Sequence, residues 1–249
     1  MKKAFILAAM AIASLGLSAQ NIQFHYDFGK HIYSDEEESR QNVTITYETF
    51  SADKLGSWYW FIDADLNKNG VQGAYTEISR EFNFAKATDN SSFAAHVELD
   101  AGMNKVCTFQ TAALFGAAWN GHNADYSTTY SVQAMYKQFF GQKFNGGCQA
   151  ALYDAYCKPY ASFQLTGVWS TRFAHDKLTF AGFIDFWRGQ KSNGHGQLVI
   201  LTEPQLWYQL GDLFGCPNLN VGGEVEISNN FGTYDGWKCN PCLGLKWDF

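Results

Sequence analysis

The sequence predicts an all-β protein, a 12-stranded antiparallel transmembrane β-barrel, and three observations lead to this prediction. Polar and apolar residues alternate along most of the chain, which is the period of a β-strand. The apolar positions are rich in aromatic residues, which make up 17% of the chain, and the polar positions are rich in carboxylates. The N-terminal residues have the features of a secretory signal peptide, so we expect the chain to be exported.

Two segments are predicted, a signal peptide at residues 1–19 and a single barrel domain at 20–249. A short basic start precedes an apolar run over 4–17, and small residues suited to cleavage follow it. This run is shorter than the roughly 20 residues that a membrane-spanning helix needs. No later stretch is long and apolar enough for such a helix, so strands would have to cross any membrane that the protein spans.

The alternating segments give twelve predicted strands, each near or above the roughly 9–11 residues that a tilted transmembrane strand requires. They are 21–29, 43–51, 57–66, 73–85, 91–101, 106–119, 126–140, 160–174, 177–189, 197–210, 218–231 and 241–249. The longer connections follow odd-numbered strands and the shortest follows an even-numbered one. This asymmetry is typical of outer-membrane barrels, which have long outer loops and short periplasmic turns.

Alternation also fits a soluble β-sandwich, so the chemistry of the two faces has to decide between the folds. One face carries carboxylates such as Asp63 and Glu98, and the other carries large rings such as Phe109. A twelve-stranded interior could not pack so many rings, whereas lipid accommodates them and a wet lumen keeps carboxylates hydrated. We therefore expect the rings to face lipid. Arg80 and Arg188 fall on the ring face, where a bulge or a rim position would have to accommodate them.

Charge and strand number together indicate the class of function. The net charge of −6 argues against nucleic-acid binding. Barrels of about eight strands are filled by side chains and those of about sixteen leave a broad channel, so twelve strands predict a narrow lumen. Carboxylates in a narrow lumen should disfavour anions and admit neutral or cationic solutes. The expected partners are outer-membrane lipid and small solutes.

Six segments also carry a family resemblance. They are HYDFG at 25–29, EISRE at 77–81, FQLTGVW at 163–169, DFWR at 185–188, EPQLWY at 203–208 and KWDF at 246–249. In this order they resemble the nucleoside-specific channel family typified by Tsx, in an uncharacterised Tsx-like branch. The resemblance implies a monomeric twelve-stranded barrel in the bacterial outer membrane that passes nucleosides. Phe249 resembles the aromatic C-terminus by which barrel proteins are recognised for membrane insertion.

Candidate solute contacts follow from the lumen-facing positions. A nucleoside has a flat base and a hydroxylated ribose, so rings beside carboxylates and amides would suit it. The candidate rings are Tyr75, Phe183, Trp187 and Trp207, and the candidate hydrogen-bonding residues are Asp185, Glu203 and Gln205. The same side chains could instead simply fill the lumen, and the hydroxyls of a sugar would suit them equally well.

Further lumen residues are expected to have a structural role. Glu224 and Glu226 line the lumen, and Glu226 faces Lys246 if the last two strands pair in simple register. We expect a salt bridge there. His25 and His96 share the lumen with acids but lack the spacing of metal ligands, so no metal site and no cofactor are predicted.

Six cysteines in an exported protein indicate disulfides. Cys148 and Cys157 both lie in the longest loop, and we predict a disulfide between them. The pairing of the other four stays open: Cys107, Cys216, Cys239 and Cys242. The last two form a CxxC sequence that could pair internally or stabilise an outer loop. The first two are expected at opposite ends of the barrel and should not be joined.

Two other functional classes compete with a channel. A structural or adhesin-like barrel with a plugged lumen would have the same strand pattern. A barrel enzyme is also conceivable, but the lipid-facing positions hold no Ser–His pair, and no GxSxG or HExxH motif occurs. We therefore predict a channel rather than an enzyme.

Overall fold

The computed structural model describes residues 18–37, 40–105, 108–141, 158–191, 195–232 and 235–249. The strands are β1 (Ser18–Asp27), β2 (Val43–Ala52), β3 (Gly56–Asn67), β4 (Gly70–Thr88), β5 (Ser91–Asn104), β6 (Ala112–His122), β7 (Thr128–Phe139), β8 (Tyr160–Phe173), β9 (Leu178–Gln190), β10 (Gly196–Thr202), β11 (Gln205–Gln209), β12 (Leu219–Asn229) and β13 (Trp237–Asp248). Two single-turn helices, α1 (Gly29–Ile32) and α2 (Gly211–Phe214), lie in connections. Within the described ranges, no helix has the length and hydropathy to cross a membrane.

The strands form one closed antiparallel barrel. Sequential strands pair along the chain, and β13 returns to pair with β1, so that Asn21 lies opposite Asp248. β10 and β11 share one position between β9 and β12. They are separate because Pro204 has no amide hydrogen to donate to the ladder. The predicted 12-stranded fold is confirmed, and the predicted strand 197–210 is this interrupted position.

The predicted strand at 106–119 begins later than expected. β6 starts at Ala112, because the chain before it turns back on β5 and the Phe109 amide donates to the Gly102 carbonyl at 2.8 Å. The turn carries the Phe109 ring to the lumen side, where its centroid lies 6.4 Å from that of Tyr75. The expectation that Phe109 faces lipid was therefore wrong.

The two faces of the barrel have the predicted polarity. Phe24 and Phe180 on the outer face are 47% and 41% exposed, while Gln23 and His96 on the inner face are almost fully buried. Exposed apolar side chains occur on nearly every strand, for example Phe24, Phe50, Trp58, Ile78, Leu99, Phe115, Tyr136, Phe163, Phe180, Leu198, Leu206 and Leu245. A surface of this kind is suited to lipid.

The two arginines with outer-face parity are accommodated in different ways. Arg80 is buried: its Nη2 lies 2.8 Å from Asp53 Oδ1, and its guanidinium lies 5.0 Å from the ring centroids of both Trp58 and Phe82. The hydrogen bond from Arg80 also lowers the pKa of Asp53, which lies in the β2–β3 turn. Arg188 is exposed near the end of β9, a rim position.

The two ends of the barrel differ largely as predicted, with two exceptions: the turn at 68–69 lies at the end with the longer connections, and the connection at 210–218 lies at the end with the short turns. Short turns at 53–55, 89–90 and 174–177 close one end, which we call the turn end. Longer connections at 28–42 and 140–159 emerge at the other end, which we call the loop end. The predicted signal peptide falls almost wholly outside the described residues and remains a prediction.

The contact between β11 and β12 depends on glycine. A Cβ atom at Gly222 would lie 2.0 Å from the Leu206 carbonyl oxygen, so any side chain there must displace one strand. We expect Gly222→Ala to lower the free energy of unfolding by about 2–3 kcal/mol, measured by urea unfolding of the micelle-folded protein. Gly167→Ala is the control, since the nearest atom to its Cβ is an Ile184 methyl carbon at 3.2 Å. Equal losses in both variants would contradict the expectation.

Candidate functional site

A hydrogen-bonded chain fills one side of the lumen, along the inner faces of β1, β11 and β12. His25 Nε2 lies 2.9 Å from Gln23 Oε1, and His25 Nδ1 lies 3.5 Å from Glu224 Oε1. Gln205 donates to Glu224 at 3.0 Å, and the Trp207 indole N–H donates to Gln205 at 2.9 Å. Each side chain is thus held against the wall by its neighbours.

Trp207 is the largest fully buried side chain of the described residues. Its ring meets His25 edge-on at 5.7 Å between centroids, and Lys246 Nζ lies 5.1 Å from the indole centroid. Gly244 makes room for it, because a Cβ there would lie 2.9 Å from the indole. Trp207 therefore packs the lumen and does not present an open face to a solute.

The expected salt bridge between Glu226 and Lys246 is not formed. In the β12–β13 ladder, Glu226 lies opposite Asn240 and Lys246 lies opposite Asn220. The reason is register: β13 begins earlier than predicted, which shortens the preceding loop and shifts every pair. Lys246 instead contacts Trp207 and lies 3.8 Å from Asp248.

The β1–β2 connection folds inward at the loop end. Arg40 Nη2 lies 2.6 Å from Asp27 Oδ2 and 2.8 Å from Glu226 Oε2. Glu37 and Asn240, both fully buried, lie beside it, and the Asn240 amide nitrogen is 3.4 Å from Glu37 Oε1 and 3.2 Å from Glu226 Oε1. We call these five residues the mouth cluster. It joins the first loop to the inner wall of β12 and β13.

Three carboxylates share one guanidinium in the mouth cluster, and Glu37 is the most deeply buried of them. Burial raises the pKa of Glu37, against the opposing effects of Arg40 and of the hydrogen bond from Asn240. A second ion pair, between Lys238 and Glu36, holds the same loop, and Lys238 Nζ also lies 4.5 Å from the Tyr33 ring centroid. The first loop is thus anchored to β13 at two places.

The opposite side of the lumen, from β4 to β8, is packed by charged groups. His96 lies between two carboxylates, 3.2 Å from Glu81 and 3.1 Å from Glu98. Lys137 Nζ lies 2.9 Å from Asp100 Oδ2 and donates to Gln164 at 2.8 Å. These groups compensate one another within the wall.

Between the two packed sides, the inner faces of β2–β4 and β8–β10 keep side chains that are partly exposed. Asp63 and Glu77 lie on one of these walls and Asp185 and Glu203 on the other. The charge of Glu203 interacts with those of Asp63 and Glu77, and the charge of Glu77 with that of Asp185. In the described part of the chain, none of these four carboxylates forms a salt bridge; the nearby Lys137 is paired with Asp100, and its charge also acts on Asp185 and Glu77. We call them the acidic constriction.

The structure divides the predicted solute contacts into groups. Tyr75, Phe183, Asp185 and Glu203 line the partly exposed walls, and Gln205 and Glu224 border them. The remaining predicted residues are packed: Trp187 against Phe231 and Lys137, Trp207 against His25, Glu226 in the mouth cluster and Lys246 against Trp207.

Strand parity also places Tyr59 and Phe61 in the lumen, although neither is among the candidate solute contacts, and both lie on the inner face of β3 beside Tyr75. Two other lumen residues were missed. Arg40 and Glu37 come from a loop without periodicity, so no sequence pattern could have placed them in the lumen.

One group of carboxylates has the spacing of a cation site. Oxygens of Glu77, Glu98 and Asp100 lie within 4.8 Å of one another. Lys137 already supplies positive charge to Asp100 at 2.9 Å, so the geometry does not require a metal ion.

The cysteines of the described chain are free thiols: Cys216, Cys239 and Cys242. Cys239 and Cys242 lie on β13 with opposite parity, so Cys239 is exposed on the outer face and Cys242 points inward. A disulfide within this CxxC is therefore not formed. The predicted Cys148–Cys157 pair and Cys107 lie outside the described residues.

Comparison with known proteins supports the fold. A family model described as a domain of unknown function, DUF5020, matches residues 19–249. No curated protein matches the sequence. The KdgM porin is 12% identical with a TM-score of 0.50, covering 93% of this chain and 99% of that one. The NanC porin is 10% identical with a TM-score of 0.53, covering 92% and 100%.

The same fold also occurs in an enzyme. The outer membrane phospholipase of Salmonella typhi, solved as a dimer with bound calcium, is 9% identical with a TM-score of 0.50, covering 93% of this chain and 90% of that one. At such identities the likeness shows the fold. A closed barrel with a polar interior and apolar side chains turned outward is the architecture of outer-membrane proteins.

Proposed function

We propose that this chain, which belongs to the DUF5020 family, forms a narrow acidic channel that passes small neutral or cationic solutes across the outer membrane. The acidic constriction is the observation that supports the proposal. Its four carboxylates lie on two walls of the lumen, and none of them forms a salt bridge among the described residues. Carboxylates in a confined space raise the local concentration of cations and repel anions.

Nucleosides are the solutes that we propose first. They are neutral, and they combine a flat base with ribose hydroxyls that can donate to carboxylates. Tyr75 and Phe183 offer rings on the two facing walls, and Asp185 and Glu203 offer acceptors beside them. The Tsx-like resemblance supports the same choice. We also propose that the chain acts as a monomer, as the Tsx-like resemblance implies; the closed barrel leaves no strand edge for pairing with a second copy.

A plugged barrel is the second candidate, and specific contacts favour it. Trp207 fills part of the lumen beside His25 and Lys246, and the mouth cluster draws the first loop inward at the loop end. If these two obstructions meet, no solute passes and the protein has a structural or adhesin-like role. A catalytic role has no such support from the described contacts.

Conductance of the purified protein in a planar lipid bilayer separates these candidates. We expect discrete current steps, a reversal potential in a KCl gradient that shows cation preference, and partial block by adenosine. A silent membrane would support the plugged barrel. Steady current with anion preference would contradict the acidic channel, and cation current that adenosine leaves unchanged would contradict nucleoside recognition alone.

A further inference from the structure

Four aromatic rings follow one another along the wall formed by β3, β4 and the β5–β6 connection. The centroids of Tyr59 and Phe61 are 6.1 Å apart, those of Phe61 and Tyr75 are 6.0 Å apart, and those of Tyr75 and Phe109 are 6.4 Å apart. Neighbouring planes are tilted by 50–51° in each pair. We call these four residues the ring track. It runs from the lumen towards the loop end.

The track is held in place by hydrogen bonds at its rim. The Tyr59 hydroxyl donates to Glu48 at 3.2 Å, and the Tyr75 hydroxyl donates to Glu77 at 2.8 Å. Both phenol hydroxyls are therefore hydrogen-bonded to carboxylates. These hydrogen bonds fix the positions of the rings and do not involve the ring faces. Tyr59, Phe61 and Tyr75 remain partly exposed to the lumen.

A glycine allows the track to reach the loop end. A Cβ atom at Gly102 would lie 2.5 Å from the Phe109 ring and 2.9 Å from the Tyr75 ring. Because β5 has no side chain at this inward position, the Phe109 ring can fold over it and continue the row. Phe109 is itself 39% exposed.

Negative charge lies directly beside the rings. Asp63 follows Phe61 by two residues on β3 and so faces the same way, and Glu77 stands in the same relation to Tyr75 on β4. Glu203, on the other wall, adds to the negative potential at both carboxylates. An aromatic face attracts cations through its quadrupole, and the neighbouring carboxylates attract the same charge. Rings and acids together therefore select a solute with a positive charge and a flat apolar face.

We propose that the ring track binds ring-shaped organic cations of the amino-sugar class, with the apolar face of the solute on Phe61 and Tyr75 and its ammonium group directed to Asp63 and Glu77. The inference rests on the channel proposed above and adds a charged class of solute to the nucleosides proposed there. A neutral sugar of the same shape keeps the ring contact but loses the charge interaction. An acidic sugar is repelled.

The test compares two solutes and two sets of variants in a planar bilayer carrying K⁺ current. Glucosamine, at a pH where its amine is protonated, and N-acetylglucosamine share a ring but differ in charge. In the wild type we expect glucosamine to block the current for about three to five times longer per event. The Phe61→Leu, Tyr75→Leu double variant keeps apolar bulk but removes both ring faces, and should bring this ratio close to one. The Phe115→Leu, Phe180→Leu double variant changes two rings on the outer face and should retain it.

The outcomes are distinguishable. A wild-type ratio near one, or a ratio that the double variant leaves unchanged, overturns the ring track while K⁺ current still supports the channel. Absence of K⁺ current overturns the channel. In that case calorimetric titration of the micelle-folded protein with glucosamine decides the binding site separately. A heat of glucosamine binding that is present in the wild type and lost in the double variant supports binding at the ring track. An equal heat of binding in both proteins overturns it.

Discussion

A Glu203→Gln, Asp63→Asn double variant is expected to reduce the preference of the channel for K⁺ over Cl⁻ by about tenfold. Both carboxylates belong to the acidic constriction, where their charges interact across the lumen and no ion pair among the described residues offsets them. Neither substitution changes the size of the side chain appreciably, so the width of the passage should be preserved. The reversal potential in a KCl gradient measures the ratio, at low salt because screening weakens the effect.

The control for this experiment removes the same number of charges elsewhere. Asp35 lies exposed in the first loop, and Asp89 lies exposed in the β4–β5 turn. We expect the Asp35→Asn, Asp89→Asn double variant to keep nearly all of the wild-type preference. If the control loses as much selectivity as the constriction variant, overall charge rather than the constriction determines selectivity, and the proposed site is wrong.

Replacing Arg40 by Gln is expected to lower the free energy of unfolding by about 2–3 kcal/mol. Removal of one partner from a buried ion pair costs about 3–5 kcal/mol, and we place this case lower because the Arg40 side chain is 22% exposed. Asp27 and Glu226 then lose their partner at 2.6 and 2.8 Å, and the fully buried Glu37 loses its nearest cation. Urea unfolding of the micelle-folded barrel, followed by tryptophan fluorescence, measures the difference.

Two further variants test whether loss of charge causes the lower stability of Arg40→Gln. Lys86→Gln breaks the ion pair with Asp89, in which both side chains are exposed, and should change stability by less than about 0.5 kcal/mol. Glu37→Gln, added to Arg40→Gln, should recover part of the loss because it removes an unpaired buried charge. A double variant no more stable than Arg40→Gln would show that the guanidinium stabilises the loop by packing and not by charge.

Lowering the pH should raise the free energy of unfolding of the Arg40→Gln variant, because protonation of Glu37 removes the same charge as Glu37→Gln. The pKa of Glu37 is higher in the folded protein than in the unfolded chain because burial disfavours the carboxylate, which faces Arg40, Asp27, Glu226 and Asn240. Such a group favours the folded state at low pH, and the advantage is lost as pH rises through the folded-state pKa.

Strand number and face polarity were predictable because both depend on a local period. Alternation places Phe24 outward and Gln23 inward whatever the partner strand is. Register is not local: Glu226 pairs with Asn240 because of where β13 begins. Phe109 was misplaced because a turn interrupts the alternation before Ala112.

The candidate site was predictable only in part, because parity identifies the inner face but not the space in front of it. Trp207 and Tyr75 both have inward parity, yet one is packed against His25 and the other is partly exposed in the ring track. The difference depends on contacts between strands far apart in sequence. Arg40 reaches the lumen through a loop, for which no periodic signal exists.

The pairing of β1 with β13 has a consequence for biogenesis. These strands come from opposite ends of the chain, with Ile22 opposite Trp247, and the Phe249 amide donates to the Gln20 carbonyl at 2.9 Å. Until β13 is available, β1 keeps a row of unsatisfied amides and carbonyls that invites pairing with another molecule. Chaperone protection should therefore be needed throughout transit to the membrane, and a nascent chain that stalls before β13 should be an aggregation hazard rather than a smaller functional barrel.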